Sequence, residues 1–82
     1  MKEKEEKFFT VSVDGDEFEI PRKGVTPNDI LRIAQLDPAS RYLIEKQGNK
    51  IISYQDNADV ELKHLHQNMV FSTGSREPIT VS

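Results

Sequence analysis

Phe9, Val11 and Val13 alternate with Thr10, Ser12 and Asp14, the period of two that marks a strand with one buried face. Phe18 and Ile20 then alternate with Glu17 and Glu19. Between the two runs, Asp14-Gly15 supplies the two-residue turn of a hairpin, because both turn positions require positive φ. Pro21 cannot donate a ladder hydrogen bond, so it ends the return strand or sits on a sheet edge. After the connector Arg22-Lys23-Gly24, the period changes. Thr26 is a helix cap, Pro27 suits the first helical position and Asp29 puts negative charge in the first turn. Ile30, Leu31, Ile33 and Ala34 carry the apolar face, which predicts a helix over 27–35 with Arg32 and Gln35 outward. Asp37-Pro38 stops it.

Tyr42, Leu43 and Ile44 open a third strand, Gln47-Gly48-Asn49 is its turn, and Ile51-Ile52 is a short fourth strand. Residues 53–66 are polar, anchored by Val60, Leu62 and Leu65. Met69-Val70-Phe71 makes the last strand. Simple alternation turns Tyr42, Ile44, Met69 and Phe71 toward the core and Leu43 and Val70 outward. A one-residue slip would invert every face. The order strand, strand, helix, strand, strand, strand predicts an α+β domain. If the last strand pairs parallel with the first at the sheet centre, one helix crosses one face in a right-handed connection. That is the β-grasp arrangement, the fold of ubiquitin.

Eighty-two residues make one domain with a thin core. The expected organisation is a charged arm over residues 1–7, a domain over 8–73 and a flexible tail over 74–82. The chain has no cysteine, which removes disulfides, thiolate catalysis and cysteine zinc sites. A net charge of −3 with interspersed signs gives no concentrated basic face for nucleic acid. In the arm, Glu3, Glu5 and Glu6 cancel Lys2, Lys4 and Lys7. No apolar run approaches the ~20 residues of a membrane span, and the N-terminus lacks the apolar core of a secretory signal. A soluble, cytoplasmic chain without cofactor is expected.

The segments VSVDGDEFEIP, TPNDILRIAQLDP, RYLIEK and NMVFST together resemble the bacterial multiubiquitin family of ubiquitin-like domains. That family shows a V-N-G-x-x-F/Y-x-V-P opening, an I-L-x-x-A-G-L-D-P helix end, a Y-x-L-x-x-K strand and an F-x-T ending. The likeness runs from about Phe9 to Thr73. Asp14 stands where Asn is usual and Gln35 where Gly is usual. The family's name refers to tandem copies, whereas this sequence holds one. The resemblance implies a protein modifier that works with a ubiquitin-activating-like enzyme, a conjugating enzyme, a JAB-type protease and a protein target, in pathways associated with defence against phage.

A modifier does no bond chemistry itself. It offers a C-terminal carboxylate, and the donor must be narrow and flexible, which glycine satisfies. This sequence ends in Val81-Ser82, with Gly74 nearby. Gly74 therefore either ends the last strand or makes a turn, or, once residues 75–82 are removed, becomes the donor. Lys46, Lys50 and Lys63 are possible acceptors in chain formation. The expected recognition patch is Leu43 and Val70, bordered by Arg41 and His66; otherwise these are scattered surface residues, which are normal. His64 and His66 lack a third ligand for metal, and Ser53, His64 and Asp56 lack the strained turn of a hydrolase nucleophile. No catalytic or metal residue is assigned. The alternative to a modifier is a non-covalent adaptor that docks by its sheet face. A sulfur carrier, the third member of this fold class, needs a terminal Gly-Gly that is absent.

Overall fold

The computed structural model describes residues 8–76. The elements are β1 (Phe8–Val13), β2 (Asp16–Pro21), α1 (Pro27–Ile33), β3 (Arg41–Gln47), β4 (Lys50–Ser53) and β5 (Val70–Ser75). The five strands form one mixed sheet in the order β2-β1-β5-β3-β4. The β1–β5 pair at its centre is parallel and the others are antiparallel. Helix α1 packs across β3 and β2 on one face. This is a β-grasp-like α+β fold.

Local chemistry explains each boundary. Asp14 and Gly15 have φ of 53° and 91°, the two positive values that make a hairpin turn match strand twist. Thr26 and Asp29 form a reciprocal capping box: Asp29 N donates to Thr26 Oγ1 at 3.1 Å, and Thr26 N donates to Asp29 Oδ2 at 3.0 Å. These bonds satisfy donors that the first helical turn leaves open.

The helix stops at Ile33, two residues earlier than its periodicity predicts. Ala34 is the C-cap, and Gln35 takes φ 65°. Gln35 N then donates to Arg32 O at 3.0 Å and Leu36 N to Leu31 O at 2.8 Å. That pair of bonds is a Schellman motif, whose left-handed position favours glycine. The departure at Gln35 thus falls on a residue under backbone strain.

The core lies between helix and sheet. It holds Val11, Val13, Ile20, Ile30, Leu31, Leu43 and Phe71, with Val25, Tyr54, Leu62 and Met69 from the connections. Val60, an expected anchor, is instead exposed. Leu62 is tied down by its own N–H, which donates to Val25 O at 2.9 Å.

Two expectations about orientation and extent change. Leu43 is fully buried, whereas Tyr42 and Ile44 are only half-buried on the face away from the helix. The buried side of β3 is completed by Glu45, which has no exposed surface. Strand β5 also continues to Ser75, paired residue for residue with β3 as far as Arg41. Gly74 is therefore a strand residue opposite Tyr42, and the boundary drawn after residue 73 moves beyond Ser75.

Candidate functional site

The sheet face opposite the helix is built by register. Glu17, Ser12, Val70, Lys46 and Ile51 line up across all five strands. The next row is Ser72, Ile44 and Ser53, and beyond it Gly74 sits beside Tyr42. Val70 is 46% exposed and Ile51 69%. Ile44 and Tyr42 add half-buried apolar surface between them. Among the described residues, this gives an apolar area over β5, β3 and β4 with Lys46 inside it. Toward β1 and β2, a groove is lined by Thr10, Val11, Ser12, Glu17, Asn68 and Met69.

The expected recognition patch does not assemble. Val70 is on the open face, but Leu43 points into the core from the opposite side of the sheet. Arg41 shares Leu43's register side and donates through Nη1 to Thr73 Oγ1 at 3.0 Å. His66 is exposed in the connection before β5, with Nδ1 2.9 Å from Gln67 O. The apolar partners of Val70 are Ile44, Tyr42 and Ile51. Of these, Tyr42 and Ile44 are the two that alternation in β3 turns toward the core; the structure buries Leu43 and Glu45 instead.

Gly74 has a definite role in this face. A β-carbon there would lie 2.7 Å from Tyr42 Cε1 and closer still to Cζ. The tyrosine ring lies across the glycine backbone, with the Arg76 guanidinium 5.6 Å from the ring centroid. Arg76 also donates through its backbone N to Ser40 O at 2.8 Å, and through Nε to Pro38 O at 3.2 Å. On the other side of β5, Asp14 takes over where the pairing with β1 ends. Its Oδ1 accepts from Thr73 N at 3.0 Å and its Oδ2 from Thr73 Oγ1 at 2.7 Å.

Sequence reasoning missed a buried polar hub. Glu45 Oε1 accepts from Tyr54 Oη at 2.8 Å and lies 2.7 Å from His64 Nε2, while Gln47 Nε2 donates to Oε2. Burial alone would raise the Glu45 carboxyl. Hydrogen bonds from His64, Gln47 and Tyr54 outweigh it and hold the group below its ordinary value of 4.5. Burial, and then the bond to Glu45, push the Tyr54 phenol upward, so it remains a donor at neutral pH. His64 is thus engaged with a structural carboxylate. Among the described residues, no three metal-ligating side chains cluster, and no helix is long and apolar enough to cross a membrane. Comparison of this chain with family models, curated proteins and solved structures gives no match.

Proposed function

We propose that this chain is a ubiquitin-like modifier of a bacterial conjugation pathway serving antiviral defence. The observation that carries the reading is the β-grasp-like sheet with one face free of the helix, bearing Tyr42, Ile44, Ile51 and Val70. Motif likeness from Phe9 to Thr73 supports the same assignment. An activating enzyme, a conjugating enzyme and a JAB-type protease recognise the open face, where a few apolar anchors dominate the binding energy. Water cleaves the Gly74–Ser75 amide in the protease. The freed carboxylate displaces pyrophosphate from ATP, an enzyme thiol displaces AMP, and a target amine or hydroxyl displaces the thiol.

A second reading is the non-covalent adaptor, and one observation favours it: Gly74 is held within β5 instead of in a leash. Co-expression with a bacterial ubiquitin-activating-like enzyme, a conjugating enzyme and a JAB-type protease separates the two. The modifier reading expects a product ending at Gly74 and a covalent adduct on a target, both read by mass spectrometry. An adduct carried by an intact Ser82 terminus would remove Gly74 as donor. Stable non-covalent complexes with no adduct would leave the adaptor. Gly74→Phe alone is a poor test, because any side chain there meets the Tyr42 ring. Pairing it with Tyr42→Ala clears that space.

A further inference from the structure

The C-terminal half of β5 is fastened from three directions. Asp14 grips Thr73 through both carboxylate oxygens. The Tyr42 ring covers Gly74. Arg76 is bound by its backbone N to Ser40 O and by its side chain to Pro38 O and Arg41 O. The β1 ladder has ended by this point, since its last partner on β5 is Phe71. Residues 73–76 are therefore held on one side by the Asp14 side chain of the β1–β2 turn, and on the other by β3, including Arg41 Nη1 on Thr73 Oγ1, and by Pro38 and Ser40 just before it.

We infer that Thr73–Arg76 is a latch: it closes the Gly74–Ser75 bond against hydrolysis and opens as a unit, independently of the core. Proteases bind their substrates extended, with the backbone free on the enzyme side. A bond inside a paired strand is cut only after the strand peels away. Peeling from Arg76 back to Thr73 breaks the Arg76, Tyr42 and Asp14 contacts while leaving Phe71 in the core. Asp14 is thus a positioning residue. As a control on processing, the latch rests on the modifier reading; as a barrier to cleavage, it does not.

The test uses the full-length protein and subtilisin, a protease of broad specificity, under native conditions. Intact mass identifies the product ending at Gly74, and amide exchange at Arg76 reports opening. Asp14→Ala and Arg76→Ala should each speed that cut by about five-fold and their combination by more than ten-fold, the range of one or two exposed hydrogen bonds. For Arg76→Ala, global stability measured by urea should fall by less than this factor implies; Asp14→Ala also puts alanine at the left-handed turn position, so its urea loss is subtracted before its cutting rate is compared. Asp14→Asn, which keeps an acceptor for Thr73 N, should restore the slow rate. An unchanged cutting rate overturns the latch. So does a rate that rises only in step with global unfolding. If Asp14→Ala fails to fold, Arg76→Ala alone gives the same comparison. Should these variants open faster while the pathway protease processes neither them nor the wild type, the modifier reading fails and the latch stands.

Discussion

Removing the Tyr54 hydroxyl isolates the energetics of the buried hub. Tyr54 is 6% exposed and Glu45 0%, so solvent cannot replace the 2.8 Å bond between them. Tyr54→Phe preserves ring packing and removes one donor from an ionised, desolvated acceptor. Hydrogen bonds to charged groups contribute about 1.5–3 kcal/mol, and the expected loss is about 2 kcal/mol. In a domain of this size, each kcal/mol moves Tm by about 4–8 °C, which predicts a fall of about 8–16 °C. Urea unfolding at pH 7 measures the loss directly. Repeating it in a Glu45→Gln background gives the coupling, expected at about 1 kcal/mol or more for groups in contact.

The hub also fixes the sign of a pH effect. Folding lowers the Glu45 carboxyl below 4.5, so the unfolded chain binds this proton more readily. The associated stability is fully present above the ordinary carboxyl range and is lost as pH falls through the depressed folded-state value. Glu45→Gln should therefore flatten the acid limb of the stability profile. A Tyr54→Phe loss below 0.5 kcal/mol, or an unchanged acid limb in Glu45→Gln, would refute the reasoning.

Three further outcomes follow from the geometry. Gln35→Gly should stabilise the domain by about 0.5–1 kcal/mol, since relief of left-handed strain exceeds the entropy cost of glycine; thermal melts measure it. Gly74→Ala should destabilise wild type through its collision with Tyr42 yet be neutral or slightly stabilising in a Tyr42→Ala background, as an unstrained Gly→Ala change is; the sign change between backgrounds is the readout. Val70→Asp should leave the circular dichroism spectrum and melting intact while weakening partner binding, whereas Leu43→Asp should unfold the protein by placing an unpaired charge in the core.

Much of the fold is visible in short stretches of sequence because its determinants are local. The Asp14-Gly15 turn, the Thr26–Asp29 box and the alternation of β1 need only neighbouring residues. The face of β3 does not. Tyr42, Leu43, Ile44 and Glu45 admit two alternations, and the one that buries a carboxylate looks wrong until its donors are counted. Two of those donors are 9 and 19 residues away, where no periodicity could reveal them. The end of β5 was hidden for a related reason. Ser72-Thr73-Gly74-Ser75 carries no apolar alternation, and Thr73 is held by a turn residue 59 positions earlier. The same two gaps account for the candidate site. Val70 lies on the open face as alternation predicts, but Tyr42 and Ile44 join it there instead of the core, and Gly74 takes the strand-end alternative inside β5.

The parallel pairing of β1 with β5 has a mechanical consequence. Chain entry at Phe8 and exit after Ser75 lie at opposite poles, so tension applied through the two ends runs along both strands. The bonds from Ser12 N to Met69 O and from Asp14 N to Phe71 O are then loaded in shear and must rupture together, whereas a hairpin pulled at its open end unzips one rung at a time. Stretching between the two ends is therefore met first at the β1–β5 seam.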